Sequence, residues 1–347
     1  MSADLLDRLR LIRTPGIGPI AFRQLLLRFS SAGEALAAIP DLARRGGGSA
    51  PKIHSKDAAE REIARVEALG ARFLSNGQVL YPRALAELEN APPLITAKGD
   101  LKLLERPMVA IVGARNASAA ACRFARGLEH DLGREGSVVV SGLARGIDSA
   151  AHDGSLESGT IAVIAGGIDV AYPPENEARQ ADIAARGLLI AEMPPGTEPR
   201  ARHFPYRNRI IAGLAAGTVV VEAAPRSGSL ITARLAGEAG REVMAVPGSP
   251  LDPRAQGCNG LIRDGATLIQ NAADVIEALT PIAGRVASQR YPFDHDAPAA
   301  PAAPVEAEPD LRARIEQLLG PSPVPVDELV RQSGAAAGAV QLVLLEL

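Results

Sequence analysis

The sequence predicts an α/β fold with an extended Rossmann-like, doubly wound and mostly parallel sheet. Seven short apolar runs rich in Val and Ile recur from residue 108 onward, and polar helical stretches separate them. The runs are continuous rather than alternating, which is typical of strands buried on both faces of a parallel sheet. Such a sheet binds ligands beyond the carboxyl ends of its strands, near a switch in strand order. A small N-terminal helical domain and a C-terminal winged-helix-like module complete the predicted architecture.

Residues 1–70 are predicted to form small amphipathic helices, because apolar residues recur at spacings of three and four. The segment TPGIGPIAFRQLL resembles a helix-hairpin-helix, in which a glycine turn points backbone N–H groups at a nucleic-acid phosphate. Two interpretations stay open here: a weak DNA-binding element, or a plain turn within an accessory bundle. Gly16, Gly18 and Ala21 match a GxGxxA pattern, but no strand precedes them, so a dinucleotide site is not predicted.

The central domain is predicted over residues 75–282. A Gly/Ser-rich joint at 43–52 and a helix at 56–69 precede it, and residues 92–95 read as a short edge strand because prolines suit a sheet edge. The seven main strands are predicted at 108–113, 137–142, 160–166, 187–192, 218–223, 242–248 and, more weakly, 267–269.

Residues 283–309 are predicted to be a semi-rigid linker rich in Ala and Pro. Residues 310–347 read as three short helices with a helix-turn-helix outline, and so as a partial winged helix, since the chain stops at Leu347 where the strands of a wing would follow. The third helix has no Arg or Lys. A packing or partner-binding role is therefore favoured over DNA reading.

Composition narrows the class of protein. The apolar fraction of 47% and charged fraction of 22% are those of a globular chain, and the net charge of −3 means that any nucleic-acid contact depends on local clusters. Cys122 and Cys258 are too few for a disulfide framework or a metal site, and no metal or cofactor is predicted. No apolar run approaches the ~18 residues that span a bilayer, so a cytoplasmic protein without a membrane partner is expected.

The turns that follow the strands predict a site for a polyanion. Each is rich in glycine or small residues and most precede a helix, whose N-terminus offers free N–H groups and a partial positive charge. The candidate turn residues are Gly142, Arg145, Gly146, Gly166, Gly167, Ser227, Gly228 and Ser229. One such turn is a weak signal, but five at one edge of a sheet indicate that phosphate is bound there.

Cationic and aromatic residues point to the same edge. The candidates are Arg115, Arg200, Arg202, Arg207, Asn208 and Arg209, interleaved with Phe204 and Tyr206. Guanidinium groups bind phosphate oxygens bidentately, and a base can stack on an aromatic ring whatever its identity. A structural alternative stays open, in which some arginines pair with Glu192 or Glu222 and Phe204 belongs to the core.

No catalytic residue is predicted. Asp148 and His152 are four residues apart and could share a helix face, but such a pair is more often structural. Ser141, Ser227 and Ser229 lie on turns without a base at motif spacing, and there is no G-x-S-x-G motif or Walker A loop. The sequence therefore predicts a binding protein and not an enzyme.

The motifs VAIVGAR, SGLARGIDSAAH, GTIAVIAGGIDVAYPPEN, FPYRNRIIAGL, SGSLITARLA and GCNGLIRDGA, in this order, resemble the DNA-processing protein A family, also called DprA or Smf. The resemblance covers roughly residues 75–280, and the terminal helices resemble that family's sterile-alpha-motif-like and winged-helix domains. It implies a sequence-independent single-stranded-DNA-binding protein of natural transformation that protects incoming strands, helps load the RecA recombinase and forms homodimers through the Rossmann-like domain.

The resemblance also implies roles for matching residues. Arg115 would contact phosphate, Phe204 would stack a base, Arg207 and Arg209 would add basic contacts, and either Arg200 or Arg202 would supply a further one.

An enzyme remains the alternative, because nucleotide-cleaving phosphoribohydrolases of the lysine-decarboxylase-like group also have glycine turns on a Rossmann-like sheet. Those enzymes carry a PGGxGT-type turn followed by Glu, whereas this chain has RSGSLITA with Glu238 as the nearest acid. A third possibility is an adaptor that acts only through its terminal domains.

Overall fold

The computed structural model describes residues 3–45, 49, 51–288, 309–319, 324–335 and 337–347. The described residues within 1–61 and 292–347 form one compact unit, and those within 62–291 form the other. In the described part of the chain, every helix is too short or too polar to cross a membrane.

The larger unit is built on a sheet of nine strands in the order β1-β2-β6-β5-β4-β3-β7-β8-β9. The strands are β1 Arg72–Ser75, β2 Leu94–Gly99, β3 Met108–Gly113, β4 Val138–Ser141, β5 Thr160–Gly167, β6 Leu188–Met193, β7 Gly217–Val221, β8 Glu242–Ala245 and β9 Thr267–Leu268. Strands β3 to β9 are mutually parallel. All seven predicted strands are confirmed, and the order switches between β3 and β7.

Two antiparallel strands extend the sheet beside β6. Strand β2 pairs with β6 on one side and with β1 on the other. The strand predicted at 92–95 is confirmed from Leu94 onward, but its place at the sheet edge was wrong, because β1, a four-residue strand that was not predicted, covers that edge. Pro92 and Pro93 precede β2, where a missing N–H costs no ladder hydrogen bond.

Helices cover both faces of this sheet. They are α5 Arg83–Ala86, α6 Ala119–Arg134, α7 Ile147–Ser155, α8 Glu177–Arg186, α9 His203–Leu214, α10 Gly228–Glu238, α11 Gln256–Arg263 and α12 Ala272–Ser288. The pleat of β3 shows how the layers form, since successive side chains point to opposite faces. Ala110 and Val112 pack with Ile210 and Ile211 of α9. Val109 and Ile111 pack on the other face with α6 and α7.

The smaller unit is helical. Near the N-terminus it contains α1 Ala3–Arg13, α2 Pro19–Arg28 and α3 Ala32–Arg45, and α4 Lys56–Ala68 runs from this unit into the larger one. Its C-terminal part contains α13 Pro309–Leu318, α14 Val326–Ser333 and α15 Ala337–Glu346. These are the three helices predicted for the winged-helix module. Gly334 ends α14 in the left-handed conformation, with a φ of 65° that suits glycine.

The predicted linker needs a correction at its start. Helix α12 continues to Ser288, so residues 283–288 are helical and do not belong to an extended linker. Residues 289–308 lie outside the described residues, as does most of the Gly/Ser-rich part of the predicted joint at 43–52.

Candidate nucleic-acid interface

A concave cavity of about 370 Å³ opens above the carboxyl ends of β3, β4 and β5. Three strand-end turns and helix α9 form its walls. The lining residues are Arg115, Asn116, Gly142, Ala144, Arg145, Ile164, Ala165, Gly166, Val170, Tyr172, Pro173, Phe204 and Arg207. Six of the predicted site residues therefore lie around one cavity: Arg115, Gly142, Arg145, Gly166, Phe204 and Arg207.

An aromatic ring with two cations forms one wall of this cavity. The Cζ atom of Arg115 lies 5.2 Å from the centroid of the Phe204 ring, and that of Arg207 lies 5.8 Å from it. The Tyr172 ring is 5.8 Å from the Phe204 ring and is tilted by 59°. Cation–π attraction of ~0.5–2 kcal/mol per pair keeps the guanidinium groups beside the ring. The wall thus offers positive charge and a stacking surface together.

Arg207 is held at the bottom of the cavity by an ion pair. Its Nη1 lies 3.7 Å from Oδ2 of Asp148, and both side chains are only 7% exposed. Asp148 also accepts a hydrogen bond of 3.3 Å from the Ala144 N–H. Burial raises the pKa of the Asp148 carboxyl, and the positive charge of Arg207 opposes that shift. The Arg207 Nε has no partner among the described residues, so this buried cation retains an unused donor.

Gly142 admits the Arg207 guanidinium into the cavity. A Cβ atom at this position would stand 1.5 Å from Arg207 Nη1 and 2.8 Å from Asp148 Oδ2. From the sequence, Gly142 was predicted to let the backbone come close to a ligand. In the structure the group that approaches is the protein's own arginine.

The two other cavity arginines differ in their partners. Arg145 is exposed and pairs with Glu175 of the short helical turn Pro174–Asn176, so part of its charge is neutralised. Arg115 is exposed, and no carboxylate of the described residues forms an ion pair with it. Its recorded neighbour is the Phe204 ring. Arg115 is therefore the cavity cation most available to a phosphate.

Arg209 and Asn208 do not line the cavity. The Nη2 of Arg209 donates to Oε1 of Glu192 at 2.5 Å, and the Arg209 side chain is 6% exposed. The Nδ2 of Asn208 donates to the Gly228 carbonyl at 3.3 Å, which ties α9 to the start of α10. The structure thus places the Arg209 guanidinium, which was predicted to contact phosphate, in a buried ion pair outside the cavity lining. The structural alternative raised from the sequence holds for this arginine.

Arg200 and Arg202 lie on the exposed approach to α9, outside the cavity lining. His203 lies between them in space: its Nδ1 accepts from the Arg200 N–H at 3.3 Å, and its Nε2 is 3.4 Å from Arg202 Nε. Burial, together with these two charges, lowers the pKa of His203. The imidazole is thus neutral at pH 7, and the positive charge of this segment comes from the arginines.

The turn after β7 stands apart from the cavity. Ser227 and Ser229 share a hydrogen bond of 2.8 Å between their hydroxyls at the start of α10, and Gly228 is exposed. None of the three lines the cavity. The five turns predicted to form one site are therefore divided, because the switch in strand order separates β7 from β4 and β5.

A second cavity of about 250 Å³ lies at the switch between β3 and β7. Its helix N-terminus is already occupied, because Glu222 accepts from the Ser118 N–H at 2.8 Å and from the Ser118 hydroxyl at 2.6 Å. Asp252 adds a second carboxylate to the lining. A helix N-terminus that holds a carboxylate repels phosphate instead of binding it.

At two further predicted glycines, Gly146 and Gly167, the backbone of a neighbouring turn lies too close for a side chain. Gly146 has a φ of 71° at the start of α7, and a Cβ atom there would stand 2.2 Å from the Ala114 carbonyl oxygen. A Cβ atom at Gly167 would stand 2.5 Å from the Pro194 carbonyl oxygen. Both positions require glycine because two turns touch, so neither provides direct support for ligand contact.

Sequence reasoning did not select several lining residues. Tyr172 is the most informative, because it is 45% exposed and faces Phe204. Tyr172 could have been selected from the sequence, because it is an aromatic residue shortly after a glycine turn in a chain with only 3% aromatic residues. Asn116 follows Arg115 directly and could have been selected with it. Ile164, Ala165 and Val170 carry no sequence signal, since apolar residues at strand ends are common.

Three of the residues considered for catalysis, Asp148, His152 and Glu238, make contacts within the protein. Asp148 is paired with Arg207, and His152 is buried with its Nδ1 2.7 Å from the Thr160 hydroxyl. Glu238 is exposed in the last turn of α10, 3.7 Å from Arg234, and so lies at the opposite end of that helix from the Ser227 turn. Among the described residues no group of three or more metal-ligating side chains is assembled.

His152 makes stability depend on pH. Burial lowers its pKa from 6.5 to about 3, so between these values only the unfolded chain takes up the proton. This histidine alone should lower the free energy of unfolding by about 1.4 kcal/mol per pH unit below pH 6.5, or about 2 kcal/mol at pH 5, whereas the raised pKa of the buried Glu129 carboxyl acts in the opposite direction. Urea denaturation of the parent protein and of His152→Asn, at pH 7 and pH 5, measures the His152 contribution as a difference. His152→Asn should remove it, whereas His130→Asn, at an exposed position on α6, should leave it unchanged.

Family models match three parts of the chain. The model described as DNA recombination-mediator protein A matches residues 72–280, a DprA-like N-terminal HHH domain matches residues 2–64, and a DprA winged helix domain matches residues 297–347. DNA processing protein DprA of Streptococcus pneumoniae is 48% identical over 202 residues, which cover 56% of this chain and 70% of that protein. Protein Smf of Escherichia coli is 40% identical over 202 residues, covering 57% and 54%.

Solved structures of DNA processing protein A are also similar to this chain. The X-ray structure of DNA processing protein A from Streptococcus pneumoniae has a TM-score of 0.62 and 35% identity, covering 75% of this chain and 98% of that one. The structure of DNA processing protein A from Helicobacter pylori, studied for its single-stranded DNA binding mode, has a TM-score of 0.56 and 30% identity, covering 61% and 96%. Every residue that lines the larger cavity lies within the family match over residues 72–280.

Proposed function

Because this chain belongs to the DNA recombination-mediator protein A family, we propose that it binds single-stranded DNA without regard to sequence, through the cavity above β3, β4 and β5. The observation that carries this proposal is the pair of guanidinium groups beside one aromatic ring, at 5.2 and 5.8 Å from its centroid. Phosphates would bind Arg115 and Arg207, and a base would stack near Phe204 and Tyr172. Backbone charge and ring faces are common to all four nucleotides, so this mode of binding tolerates any sequence.

The charges of the lining residues favour the larger cavity over the smaller one as the DNA-binding site. Three arginines line the first cavity, with Asp148 beneath it and Glu175 at its rim, whereas Glu222 and Asp252 line the second. Arg200 and Arg202, exposed on the approach to α9, extend the positive surface along a path that a strand could follow. The local field therefore favours a polyanion at this edge although the chain as a whole carries a net charge of −3.

The chemistry of the cavity supports binding without cleavage. The side chains that line it are guanidinium, amide, aromatic and aliphatic groups. Two acids lie nearby, and each is paired, Asp148 with Arg207 and Glu175 with Arg145. An enzyme that cleaves nucleotides needs a nucleophile or a general base within reach of its substrate. We therefore propose that the protein holds a strand and does not cut it.

Family membership extends the proposal to a role and to partners. We propose that the protein acts in natural transformation and recombination, where it protects incoming strands in the cytoplasm and helps to load the RecA recombinase. We also propose that it forms a homodimer through the sheet unit. Edge strand β9 supports this, because Leu268 on it is 44% exposed and an edge strand has unpaired backbone groups. Sedimentation equilibrium of the full chain measures the oligomeric state.

The experiment that tests the DNA site is the substitution Arg115→Ala. Losing one phosphate contact should weaken binding to a single-stranded oligonucleotide about tenfold, or ~1.4 kcal/mol, and equally for different sequences. The slope of log affinity against log salt concentration should become shallower by about 0.7. Fluorescence anisotropy with labelled oligonucleotides at several salt concentrations measures both quantities.

The matched control is Arg234→Ala, which removes an exposed arginine of α10 that pairs with Glu238. It removes the same charge at a position that does not line the cavity, so affinity and slope should remain those of the parent protein. Unchanged affinity and slope in Arg115→Ala would show that the site lies elsewhere.

A further inference from the structure

The last helix of the chain, α15, lies against the N-terminal helices. Within the smaller unit it packs on α3 and α2 as well as on α13 and α14. We propose that α15 is a protein-contact helix whose partner is the α2–α3 pair of the same chain, so that the two terminal modules work as one docked body. This inference does not depend on the proposed DNA site.

The side chains of α15 divide between its own module and that partner. Val340 and Val343, three residues apart on one face, are fully buried with Leu311, Ile315 and Leu329 of α13 and α14. Gln341 lies to the side of this face, and its Oε1 is 3.5 Å from Nε2 of Gln24 on α2. The helix therefore keeps its own three-helix core and still has a side available for the N-terminal helices.

A second contact comes from a different helix of the C-terminal module. Nη1 of Arg312, on α13, donates to the backbone carbonyl of Arg45 at 2.6 Å. Arg45 is the last residue of α3, so its carbonyl has no partner within that helix. A guanidinium at a helix C-terminus both satisfies such a carbonyl and interacts favourably with the helix dipole. Contacts from α13 and α15 thus position the module independently.

Docking decides what α15 can do. In a helix-turn-helix the helix after the turn enters the DNA major groove, and its contacts to the backbone depend on cationic side chains. Helix α15, AGAVQLVLLE, contains no Arg or Lys, and it is engaged by protein on two sides. By contrast, Pro15, Gly16 and Gly18 of the hairpin turn between α1 and α2 remain exposed. The docked body covers α15 and leaves that glycine turn accessible.

Chemical crosslinking of the full chain tests this arrangement. In a Cys122→Ala background, the double substitution Gln24→Cys with Gln341→Cys places two thiols at the contact, while the remaining Cys258 is fully buried. A short bismaleimide should join the two introduced thiols within one chain, identified by mass spectrometry of the crosslinked peptides in monomeric protein at high dilution. The control is Gln24→Cys alone in the same background, which has no second accessible thiol and should give no crosslink within one chain. No crosslink in the contact pair would overturn the docking.

Hydrogen exchange provides a second, independent readout. Arg312→Ala should accelerate amide exchange in α3 of the full chain by about tenfold, because it removes a charge-assisted hydrogen bond. Arg331→Ala is the matched control: it removes an arginine of α14 whose recorded partner is Glu328 of the same helix. If α3 exchanges at the same rate in both variants, Arg312 does not hold the module on α3.

Discussion

Arg207→Ala should reduce the affinity for single-stranded DNA about a hundredfold, or ~2.7 kcal/mol, which is more than any other single substitution in the cavity. Two effects add. The variant loses a charge-assisted contact in a site partly withdrawn from water, worth ~1.5–3 kcal/mol. It also leaves Asp148, 3.7 Å away in the parent protein, as a negative charge facing the incoming phosphate. Anisotropy titrations under the conditions used for Arg115→Ala measure the loss.

Two companion variants separate these effects. Arg207→Ala combined with Asp148→Asn removes the repelling carboxylate, so part of the affinity should return. Gly142→Ala keeps Arg207 but places a Cβ atom where its Nη1 now lies, 1.5 Å away, so the guanidinium must leave its position. That variant should also bind weakly. Full affinity in both Arg207→Ala and Gly142→Ala, with the protein folded, would exclude a role for this arginine in binding.

Arg209→Ala should lower the free energy of unfolding by about 3–5 kcal/mol, because it breaks the buried ion pair between Arg209 and Glu192. The pair is short, with 2.5 Å between Nη2 and Oε1, and both side chains are largely buried. Urea denaturation followed by far-ultraviolet circular dichroism measures the change. Glu192→Gln in the same chain should recover part of the loss, since it removes the carboxylate that Arg209 neutralises in the parent protein.

The surface pair of Arg234 and Glu238 is the control for this prediction, because both partners are exposed and such a pair contributes less than about 1 kcal/mol. DNA binding distinguishes a structural role of Arg209 from a direct contact with the strand. At a temperature where Arg209→Ala remains folded, its affinity should be close to that of the parent protein. A large loss of affinity without a loss of stability would mean that Arg209 contacts the strand after all.

Much of the sheet could be predicted from the sequence. A strand buried on both faces needs apolar side chains at successive positions, and seven such runs located β3 to β9. The antiparallel extension was harder, because β1, RFLS, is four residues long and contains a charged and a polar residue. Short segments of that kind have no distinctive period, and their strand state depends on the partner strand that they meet.

The site, like the sheet, could be predicted in part from the sequence. Glycine turns and arginines after the strands located the edge at which the larger cavity opens, and Phe204, which was predicted to stack a base, lines that cavity. Helix α9 shows why the individual roles could not be assigned. Phe204 and Arg207 are three residues apart and share a face, whereas Arg209 follows Arg207 by two residues, about 200° around the helix. A helix buried on several sides gives no amphipathic pattern from which to choose the face that points at the ligand.

The amino-acid sequence by itself determined the family, the parallel sheet, the terminal helices and the sheet edge at which the larger cavity opens. These features depend on local apolar patterns and on motifs in order along the chain. Tertiary structure alone decided which cations face the cavity, because burial beside Glu192 withdraws Arg209 while a clear space at Gly142 admits Arg207. The tertiary structure also divided the five turns, since the strand order places β3 between β7 and β4. The role of a charged side chain depends on its distance from other charges and from water, and only the folded chain brings these together.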